Sequence, residues 1–363
     1  MTGTVMVYGA TGFSGGALAG RLAGAGYDLL VAGRHQGRVY ALAQSLGVSH
    51  RTFSLGDPAD VQRGLAGVDV LVNAAGPFQA TARPLIEGCI SAGTHYLDLS
   101  GEWPVFAMAQ HLGPVALGAG VMVMPGVGFS IVVSDCLMAR AVRQVPEATL
   151  LRVAGSQPAL ISRGSVRSVL GLISGSVLVR RGGALHQLPV GRRRARFNYG
   201  AGLRDSIAAS LPEVITGQQT TGVANIEVYL EAPIAFELAC RAGAVAADLF
   251  GERALHGALA PLGAGWPERP SPAAQQRAFN SVVVEAVDPW RRVTRFGMFT
   301  GDGYGVTTTT AHAIVERVLG GWRPPGFQTP AGVYGADFVT DLGCAWPFDA
   351  EAGTIPPRHP GAV

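Results

Sequence analysis

The first third of the chain alternates short, almost wholly apolar runs with longer stretches in which apolar residues recur every three or four positions. Short apolar runs are typical of strands buried in a parallel sheet, and the longer period is that of amphipathic helices. Alternating strands and helices indicate a Rossmann-type, doubly wound α/β sheet. The predicted strands are Val5–Tyr8, Asp28–Ala32, His50–Leu55, Val68–Val72, one that begins at Thr94, and Val121–Met124.

The pattern changes after Ala148. Two strand-like runs flank Gly182-Gly183, a pair that favours a tight hairpin, and two more flank Asp288-Pro289. Antiparallel strands joined to helices predict a second, α+β domain. The predicted elements are strands Thr149–Ala154, Val177–Arg181, Ala184–Leu188, Asn225–Leu230, Val282–Val287 and Val293–Thr300, and helices Ser165–Ile173 and Thr307–Leu319.

A glycine turn connects the first predicted strand to the first predicted helix. Its glycines follow the spacing G-x-x-G-x-x-G, and Thr11 and Phe13 stand between them. The backbone N–H groups and the dipole of a helix N-terminus favour a phosphate. We expect Gly9 to make the turn, Gly12 to let a pyrophosphate approach, and Gly15 to let the helix lie close to the strand. The turn predicts a dinucleotide site; the alternative is a structural turn in an unrelated parallel-sheet protein.

The end of the second predicted strand carries cations. Enzymes that use NAD place an acid here for the ribose hydroxyl, whereas those that use NADP place a cation for the phosphate. This chain has Arg34, with Arg38 one helical turn later, and no acid. The pattern favours NADP(H) over NAD; the alternative is two exposed arginines at a helix start. Asp57 before Pro58 is typical of a helix cap, and it also lies where the adenine amino group is expected.

Two further segments end at the carboxyl edge of the predicted sheet, where open α/β sheets bind their ligands. The first follows the fourth strand, and its small residues allow the cofactor ribose to pass close. The second runs from Thr94 to Glu102, where alternation places Tyr96 and Asp98 on one face and His95 on the other. The residues of the first segment expected to bind the cofactor are Asn73, Ala75, Gly76 and Pro77.

Composition narrows the chemistry. The chain has 363 residues, 48% hydrophobic and 15% charged, which predicts a globular protein with room for two domains. Its net charge of +3 does not indicate nucleic acid. All 28 basic residues are arginine, which excludes mechanisms that need a lysine. The four scattered cysteines favour a reduced, cytoplasmic protein without a metal site, and we expect no export signal and no membrane span.

Short motifs along most of the chain carry a family resemblance. They are G-x-T-G-F-x-G from Gly9, A-G-R from Ala32, N-A-A-G-P-F from Asn73, G-T-H-Y-L-D-L-S-G-E from Gly93, P-G-V-G-F from Pro125, S-R-G-S from Ser162, N-I-E-V-Y from Asn225, G-D-G-Y from Gly301 and P-G-F-Q-T-P from Pro325. Together they resemble the saccharopine dehydrogenase-like family and, within it, the shorter trans-acting enoyl reductases. The resemblance implies an NADP-binding Rossmann domain, a second α/β domain and a carboxy-terminal helix that returns to the first domain.

With that resemblance, the pattern predicts three parts of the chain. Residues 1–125 with 301–345 form the NADP-binding domain, residues 126–300 form an α+β substrate domain, and residues 346–363 form a loose tail.

One position departs from the family pattern. Family members usually carry an acid after G-F and then S-x-P-S-D, whereas this chain has Ser130 in place of the acid and keeps Ser134-Asp135. If the acid positions substrate or carries a proton in relatives, this chain uses another donor or has changed its reaction. Ser134-Asp135 is also typical of a helix start.

Four residues are candidates for catalysis. Tyr96 is a phenol expected near the nicotinamide, and Tyr304 lies in a glycine-rich loop; for both, a structural role is the alternative. Arg163 lies before a predicted helix, where it suits an anion or a carbonyl. Ser130 takes the place of the family acid.

The densest charge in the chain is Arg192-Arg193-Arg194-Ala195-Arg196. Such a run is either a solvated edge or a docking patch for an acidic carrier protein or a phosphate-bearing thioester. Nucleic acid is not expected, because the run is short and lacks aromatic neighbours. The oligomeric state stays open, a homodimer included.

Three functional hypotheses follow. The first is an NADPH-dependent reductase of an activated C=C bond in an enoyl or polyketide-type intermediate, free or presented on an acyl carrier protein. The second is an imine reductase or saccharopine-type secondary-amine dehydrogenase. The third is a protein that binds NADPH without turning it over, which the serine at position 130 keeps open.

Overall fold

The computed structural model describes residues 3–156, 176–189, 193–232 and 279–351, together with isolated residues between 233 and 278. The strands are β1 (Thr4–Tyr8), β2 (Asp28–Gly33), β3 (Ser49–Thr52), β4 (Val70–Asn73), β5 (His95–Asp98), β6 (Met122–Met124), β7 (Leu150–Gly155), β8 (Ser176–Arg181), β9 (Ala184–Pro189), β10 (Arg194–Asn198), β11 (Leu203–Ala208), β12 (Ile226–Glu231), β13 (Asn280–Val287), β14 (Val293–Thr300), β15 (Gly326–Phe327) and β16 (Ala345–Phe348). The helices are α1 (Phe13–Gly24), α2 (Gln36–Leu46), α3 (Pro58–Leu65), α4 (Phe78–Ala92), α5 (Trp103–Gly118), α6 (Phe129–Gln144), α7 (Glu213–Thr221), α8 (Gly303–Leu319), α9 (Pro330–Tyr334) and α10 (Phe338–Asp341).

The chain divides into two compact units, residues 1–132 with 304–333 and residues 133–303 with 334–363. The first unit contains a parallel sheet with the strand order β15-β6-β5-β4-β1-β2-β3. Val5, Met6 and Val7 of β1 are fully buried, as expected for a strand covered on both faces. The strand order reverses at β1, between β2 and β4, which is where doubly wound sheets bind dinucleotides. The predicted Rossmann fold is confirmed, and the carboxy-terminal α8 and β15 belong to this unit.

The second unit contains a mixed sheet with the strand order β10-β11-β12-β7-β13-β14-β16. Only β7 and β12 pair in parallel along this path, and β8 and β9 form a hairpin attached to β12. Gly182 and Gly183 at the hairpin tip have φ of 54° and 83°, which suits the two-residue turn that the sequence predicts. An apolar cluster that includes Val177, Val179 and Phe197 forms a core of this unit.

The expected domain limits differ from the observed units at three places. The boundary expected after residue 125 lies within α6, and the boundary expected after residue 300 lies between residues 303 and 304. Residues 334–345 belong to the second unit, and the expected loose tail begins with a strand, because β16 pairs with β14. Phe348 of β16 stacks on Phe299 with ring centroids 4.1 Å apart, and Gly297 leaves room for its ring.

The predicted helix Ser165–Ile173 lies outside the described residues. Among the helices that the structure describes, none combines the length and the apolar character needed to cross a membrane.

Candidate cofactor and active site

The glycine turn after β1 lies against the turn after β4. Gly9 has φ of 84°, and a Cβ on it would stand 2.6 Å from the backbone nitrogen of Ala75, so no side chain fits there. A Cβ on Gly15 would stand 2.5 Å from the carbonyl oxygen of Gly9, so glycine lets α1 lie against the turn. These are the structural roles expected for the first and third glycines.

The space outside the turn is open. Thr11 and Gly12 are exposed, and a Cβ on Gly12 would approach only the carbonyl oxygen of Gly9, at 3.3 Å. Gly12 is also the N-cap of α1, whose first turn contains no acid. An exposed helix N-terminus with no competing carboxylate fits a pyrophosphate.

Arg34 follows the carboxyl end of β2 and Arg38 lies in the first turn of α2; both are exposed. Arg34 lies close enough to Tyr8 for its charge to oppose the rise in the pKa of that phenol, which burial causes. Its Nε atom donates a hydrogen bond to Nε2 of His35, at 3.1 Å. Asp57 accepts a hydrogen bond from the backbone nitrogen of Ala59 at 2.9 Å, so the structure assigns it to the cap of α3 and gives no support to an adenine contact.

Asn73 shapes the turn after β4 and does not face the open edge. It is fully buried. Its Oδ1 accepts a hydrogen bond from the nitrogen of Ala75 at 3.0 Å, and its Nδ2 donates to Thr81 at 3.1 Å. This corrects its expected role, because a side chain enclosed in this way supports the turn without touching a ligand. The expected contacts that remain open to the cofactor are the half-buried Ala75 and the exposed Gly76 and Pro77.

Tyr96 and Asp98 form a buried pair beneath this edge. The Tyr96 hydroxyl donates to Oδ2 of Asp98 at 2.9 Å and accepts from Nδ2 of Asn73 at 3.2 Å. Oδ1 of Asp98 accepts hydrogen bonds from the nitrogens of Ser100 and Gly126, at 2.9 and 2.8 Å. We call Asn73, Tyr96 and Asp98 the buried triad; it joins the carboxyl ends of β4, β5 and β6.

Burial sets the pKa of both acids in the triad. It raises the pKa of Asp98 to about 6, against the lowering effect of its backbone donors. It raises the pKa of Tyr96 well above its usual value, and the Asp98 charge adds to this. A fully buried phenol with an elevated pKa is not placed to protonate a substrate, so we assign Tyr96 a positioning role in place of the expected catalytic one.

Two other polar residues of the Thr94–Glu102 segment are structural. The carboxylate of Glu102 accepts hydrogen bonds from the nitrogens of Phe78 and Gln79, at 3.2 and 3.0 Å, and so caps α4. His95 lies at the opposite end of β5, and its Nδ1 accepts a hydrogen bond from the nitrogen of Met122 at 3.0 Å. Burial and the charge of Arg323 lower the pKa of His95 to about 4, against the raising effect of Asp69.

Ser130 and Tyr304 remain candidates for contact with a substrate. Ser130 is exposed in the first turn of α6, and its Oγ lies 3.3 Å from the point that a Cβ on Gly101 would occupy. Tyr304, at the start of α8, packs edge-on against Phe13 of the glycine turn with ring centroids 4.9 Å apart. Arg163, the fourth candidate, lies outside the described residues.

Ser134 and Asp135 lie inside α6 and are not a helix start, which corrects their expected role as a cap. Ser134 donates a hydrogen bond to Glu213 at 3.0 Å, and Asp135 accepts one from Thr220 at 2.6 Å. They connect α6 to α7 within the second unit.

The sequence did not reveal two of the residues that hold this edge in place. Thr307 of α8 accepts a hydrogen bond from the nitrogen of Phe129 at 3.1 Å and so caps α6. Thr81 donates to the carbonyl oxygen of Ala75 at 2.6 Å. The run of four threonines from Thr307 to Thr310 is unusual near the start of a helix, and this run was the signal from which the role of Thr307 could have been found. In the described part of the chain, no group of three or more His, Cys, Asp or Glu residues is placed to hold a metal ion.

Residues 5–118 match the family model of the saccharopine dehydrogenase NADP binding domain. The matched segment contains the glycine turn, both arginines after β2, the turn after β4 and the buried triad. Residues 5–118 are thus similar to this NADP-binding domain, and NADP(H) is the cofactor, as the arginine at position 34 predicts.

Curated relatives match a similar share of the chain. A Mycobacterium tuberculosis protein named as a trans-acting enoyl reductase is 36% identical, over 36% of this chain and 33% of its own length. A Mycobacterium bovis trans-acting enoyl reductase is 33% identical over 27% of this chain and 25% of its own length. The chain thus matches about a third or less of these relatives.

The fold of the whole chain is also found among solved structures. Apo saccharopine dehydrogenase (L-Glu forming) from Saccharomyces cerevisiae superposes with a TM-score of 0.61, covering 96% of this chain and 100% of that one. Sequence identity in this comparison is 12%, so the likeness shows a shared fold.

Proposed function

We propose that this protein is an NADPH-dependent oxidoreductase that reduces an activated C=C bond in an enoyl thioester or a related polyketide-type intermediate. The observation that carries the proposal is the combination of an NADP-binding domain with relatives named trans-acting enoyl reductases. The word "trans-acting" in those names further supports a substrate that another protein presents, and we propose an acyl carrier protein for that role.

The cofactor would be held by elements that the structure describes. The exposed start of α1 at Gly12 would bind the pyrophosphate. Arg34, with Arg38, would bind the ribose phosphate, because a guanidinium donates several hydrogen bonds to a phosphate in a fixed geometry. Gly76 and Pro77 would line the ribose and nicotinamide side. When bound, NADPH supplies the hydride.

The substrate side of the proposal rests on Ser130 and Tyr304. Reduction of an enoyl thioester adds a hydride to the β-carbon and a proton to the α-carbon, and negative charge develops on the carbonyl oxygen in between. The Ser130 hydroxyl would donate a hydrogen bond to that oxygen, at a helix start whose dipole favours negative charge. Tyr304, next to the glycine turn, would provide the proton.

Turnover with defined substrates tests the proposal. The purified chain would be given NADPH with a short enoyl thioester or with an amine and a keto acid, and loss of NADPH absorbance would be followed. We expect oxidation of NADPH with the enoyl thioester and none with the amine mixture. In Ser130→Ala we expect kcat to fall by about a hundredfold, the usual cost of one oxyanion donor, with NADPH affinity unchanged.

Other outcomes identify the alternatives. Turnover with the amine mixture alone would mean C=N chemistry, as in a saccharopine-type dehydrogenase. Tight NADPH binding without turnover of either substrate, even in Ser130→Asp, would mean a binding protein. Gly12→Val is the control for all three cases, because a side chain there takes the space of the pyrophosphate.

A further inference from the structure

A row of alternating charges crosses the second sheet. Glu227 on β12 lies beside Arg152 on β7, Arg152 lies beside Glu285 on β13, and Glu285 lies beside Arg295 on β14. Neighbouring strands are about 4.8 Å apart, so side chains in register on one face come into contact. We call these four residues the Arg–Glu ladder.

The two carboxylates of the ladder already have partners. Glu285 accepts hydrogen bonds from both ladder arginines, at 3.3 and 2.9 Å. Glu227 accepts hydrogen bonds from the Tyr229 hydroxyl, at 2.6 Å, and from Arg193. Each glutamate side chain is only 6% exposed. The glutamates therefore offer no site for a cation from solution.

The ladder lines a cavity of about 450 Å³. Arg193, Arg194 and Arg196 add to the lining, so that five arginines accompany two glutamates. Outside the lining, Asp205 lies 3.6 Å from Arg196, and Glu351 lies 3.4 Å from a ladder arginine. With these two acids included, the described residues at and beside the cavity comprise five arginines and four acids. Both acids are largely exposed, and exposed ion pairs contribute little to stability.

Arg152 is incompletely satisfied in this arrangement. Its Nε lies 4.0 Å from the Glu227 carboxylate, beyond hydrogen-bond distance, and this buried atom has no hydrogen-bond partner among the residues that the structure describes. An unpaired buried donor destabilises the folded chain. The Arg152 side chain as a whole is 37% exposed, so an anion in the cavity would contact the part of its guanidinium that solvent reaches.

We propose that this cavity binds the phosphate group of a phosphate ester. Guanidinium groups match the oxygens of a phosphate with pairs of parallel hydrogen bonds. The site is concave, and Glu227 neutralises Arg193, so the arrangement suits a small oxyanion better than the acidic surface of a protein. The inference concerns binding and is independent of the reaction; under the proposed function, a thioester substrate held on a phosphate-bearing arm would supply the group.

A calorimetric titration of the full chain with glycerol phosphate tests the site. The glycine turn also attracts phosphate, so the titration is made on Gly12→Val; Gly12 has φ of −78°, which valine adopts without strain. We expect saturable binding that weakens as salt is added, because salt screens the charges. Arg152→Gln should weaken it about tenfold or more, the effect of losing one charge-assisted hydrogen bond.

Two further variants keep the result interpretable. The double variant Arg194→Gln/Arg196→Gln leaves the ladder intact and should also weaken binding, which covers the case in which Arg152→Gln does not fold. Arg204→Gln removes an arginine of β11 that pairs with Glu231 outside the cavity lining, and it should leave binding unchanged. Absence of saturable binding, or equal binding by all variants, would overturn the proposal.

Discussion

Asp98 holds the centre of the candidate site through three hydrogen bonds, one within β5 and one to each of the segments that follow β5 and β6. Its carboxyl group accepts from Tyr96, Ser100 and Gly126, and its side chain is fully buried. The turn after β4 depends on it indirectly, because Tyr96 in turn contacts Asn73. A buried acid with these partners acts on the site by fixing the positions of its neighbours.

Because the pKa of Asp98 is raised, we expect the stability of the folded chain to depend on pH. The pKa is about 6 in the folded chain against 3.8 as the ordinary value, so the folded state binds the proton more tightly than the unfolded state. The stability from this group is present below pH 4 and is lost as the pH rises to about 6, a change of about 3 kcal/mol. In Asp98→Asn, which keeps an acceptor for both backbone donors, this part of the pH dependence should disappear.

Urea unfolding of both proteins between pH 4 and pH 7 measures the difference. Glu213→Gln is the matched control, because Glu213 is also buried and its pKa is raised to about 7. Glu213→Gln should remove the part of the pH dependence of stability that Glu213 contributes and keep the part that Asp98 contributes. If Asp98→Asn followed the same pH dependence as the unmodified chain, the assignment of a raised pKa would be wrong.

Arg34 makes a prediction for cofactor choice. Charge-assisted hydrogen bonds contribute about 1.5–3 kcal/mol, so Arg34→Asp should weaken NADPH binding by about 10- to 100-fold and leave NADH binding nearly unchanged. Fluorescence titration with each cofactor gives both affinities. Arg63→Asp, at an exposed position on α3 of the same unit, is the control and should change neither. An equal loss for both cofactors would show that Arg34 does not contact the phosphate.

At the scale of elements, the close approach of α1 to the glycine turn depends on one glycine. A Cβ on Gly15 would stand 2.5 Å from a backbone oxygen, whereas a Cβ on Gly20 of the same helix would meet nothing within 4 Å. Gly15→Ala should therefore destabilise the chain by about 1–3 kcal/mol and weaken NADPH binding. Gly20→Ala should stabilise it by about 0.5–1 kcal/mol, the difference in helix propensity. Equal unfolding free energies for the two variants would contradict this account of the turn.

The elements that the sequence predicts well are those whose signals are local. Six of the seven strands of the first sheet and the β8–β9 hairpin follow from apolar runs and glycine pairs, with limits within a few residues of the predicted ones, whereas the two-residue strand β15 was not predicted. The strand β16 escaped prediction because its four residues include Pro347 in a segment rich in small residues. A proline is tolerated at the edge of a sheet, and β16 is an edge strand.

The residues of the candidate site also fall into two groups, those with a local sequence signal and those without one. The glycine turn and the cations after β2 are local features of the sequence, so the sequence alone predicts cofactor contacts for them. The burial of Tyr96 could not, because its partner Asn73 comes from another strand. The cap that Glu102 provides for α4 bridges more than twenty residues, and the Arg–Glu ladder exists only through the register of four strands.

At the scale of the molecule, the two units contain different proposed binding sites. The first contains the NADP-binding domain together with Ser130 and Tyr304, and the second contains the Arg–Glu ladder and its cavity. The proposed reaction is hydride transfer from NADPH to a carbon–carbon double bond, and the described residues proposed for it lie in the first unit.

Transfer of deuterium from NADPH to the substrate is the most direct test of this reaction. The full chain would be incubated with an enoyl thioester and NADPH that carries deuterium at both hydrogen positions of nicotinamide C4, and the product would be examined by mass spectrometry and NMR. If NADPH reduces the double bond, the product is a saturated thioester with one deuterium at the β-carbon. A product without deuterium, or deuterium found only in a secondary amine formed from a parallel imine substrate, would contradict the proposed reaction.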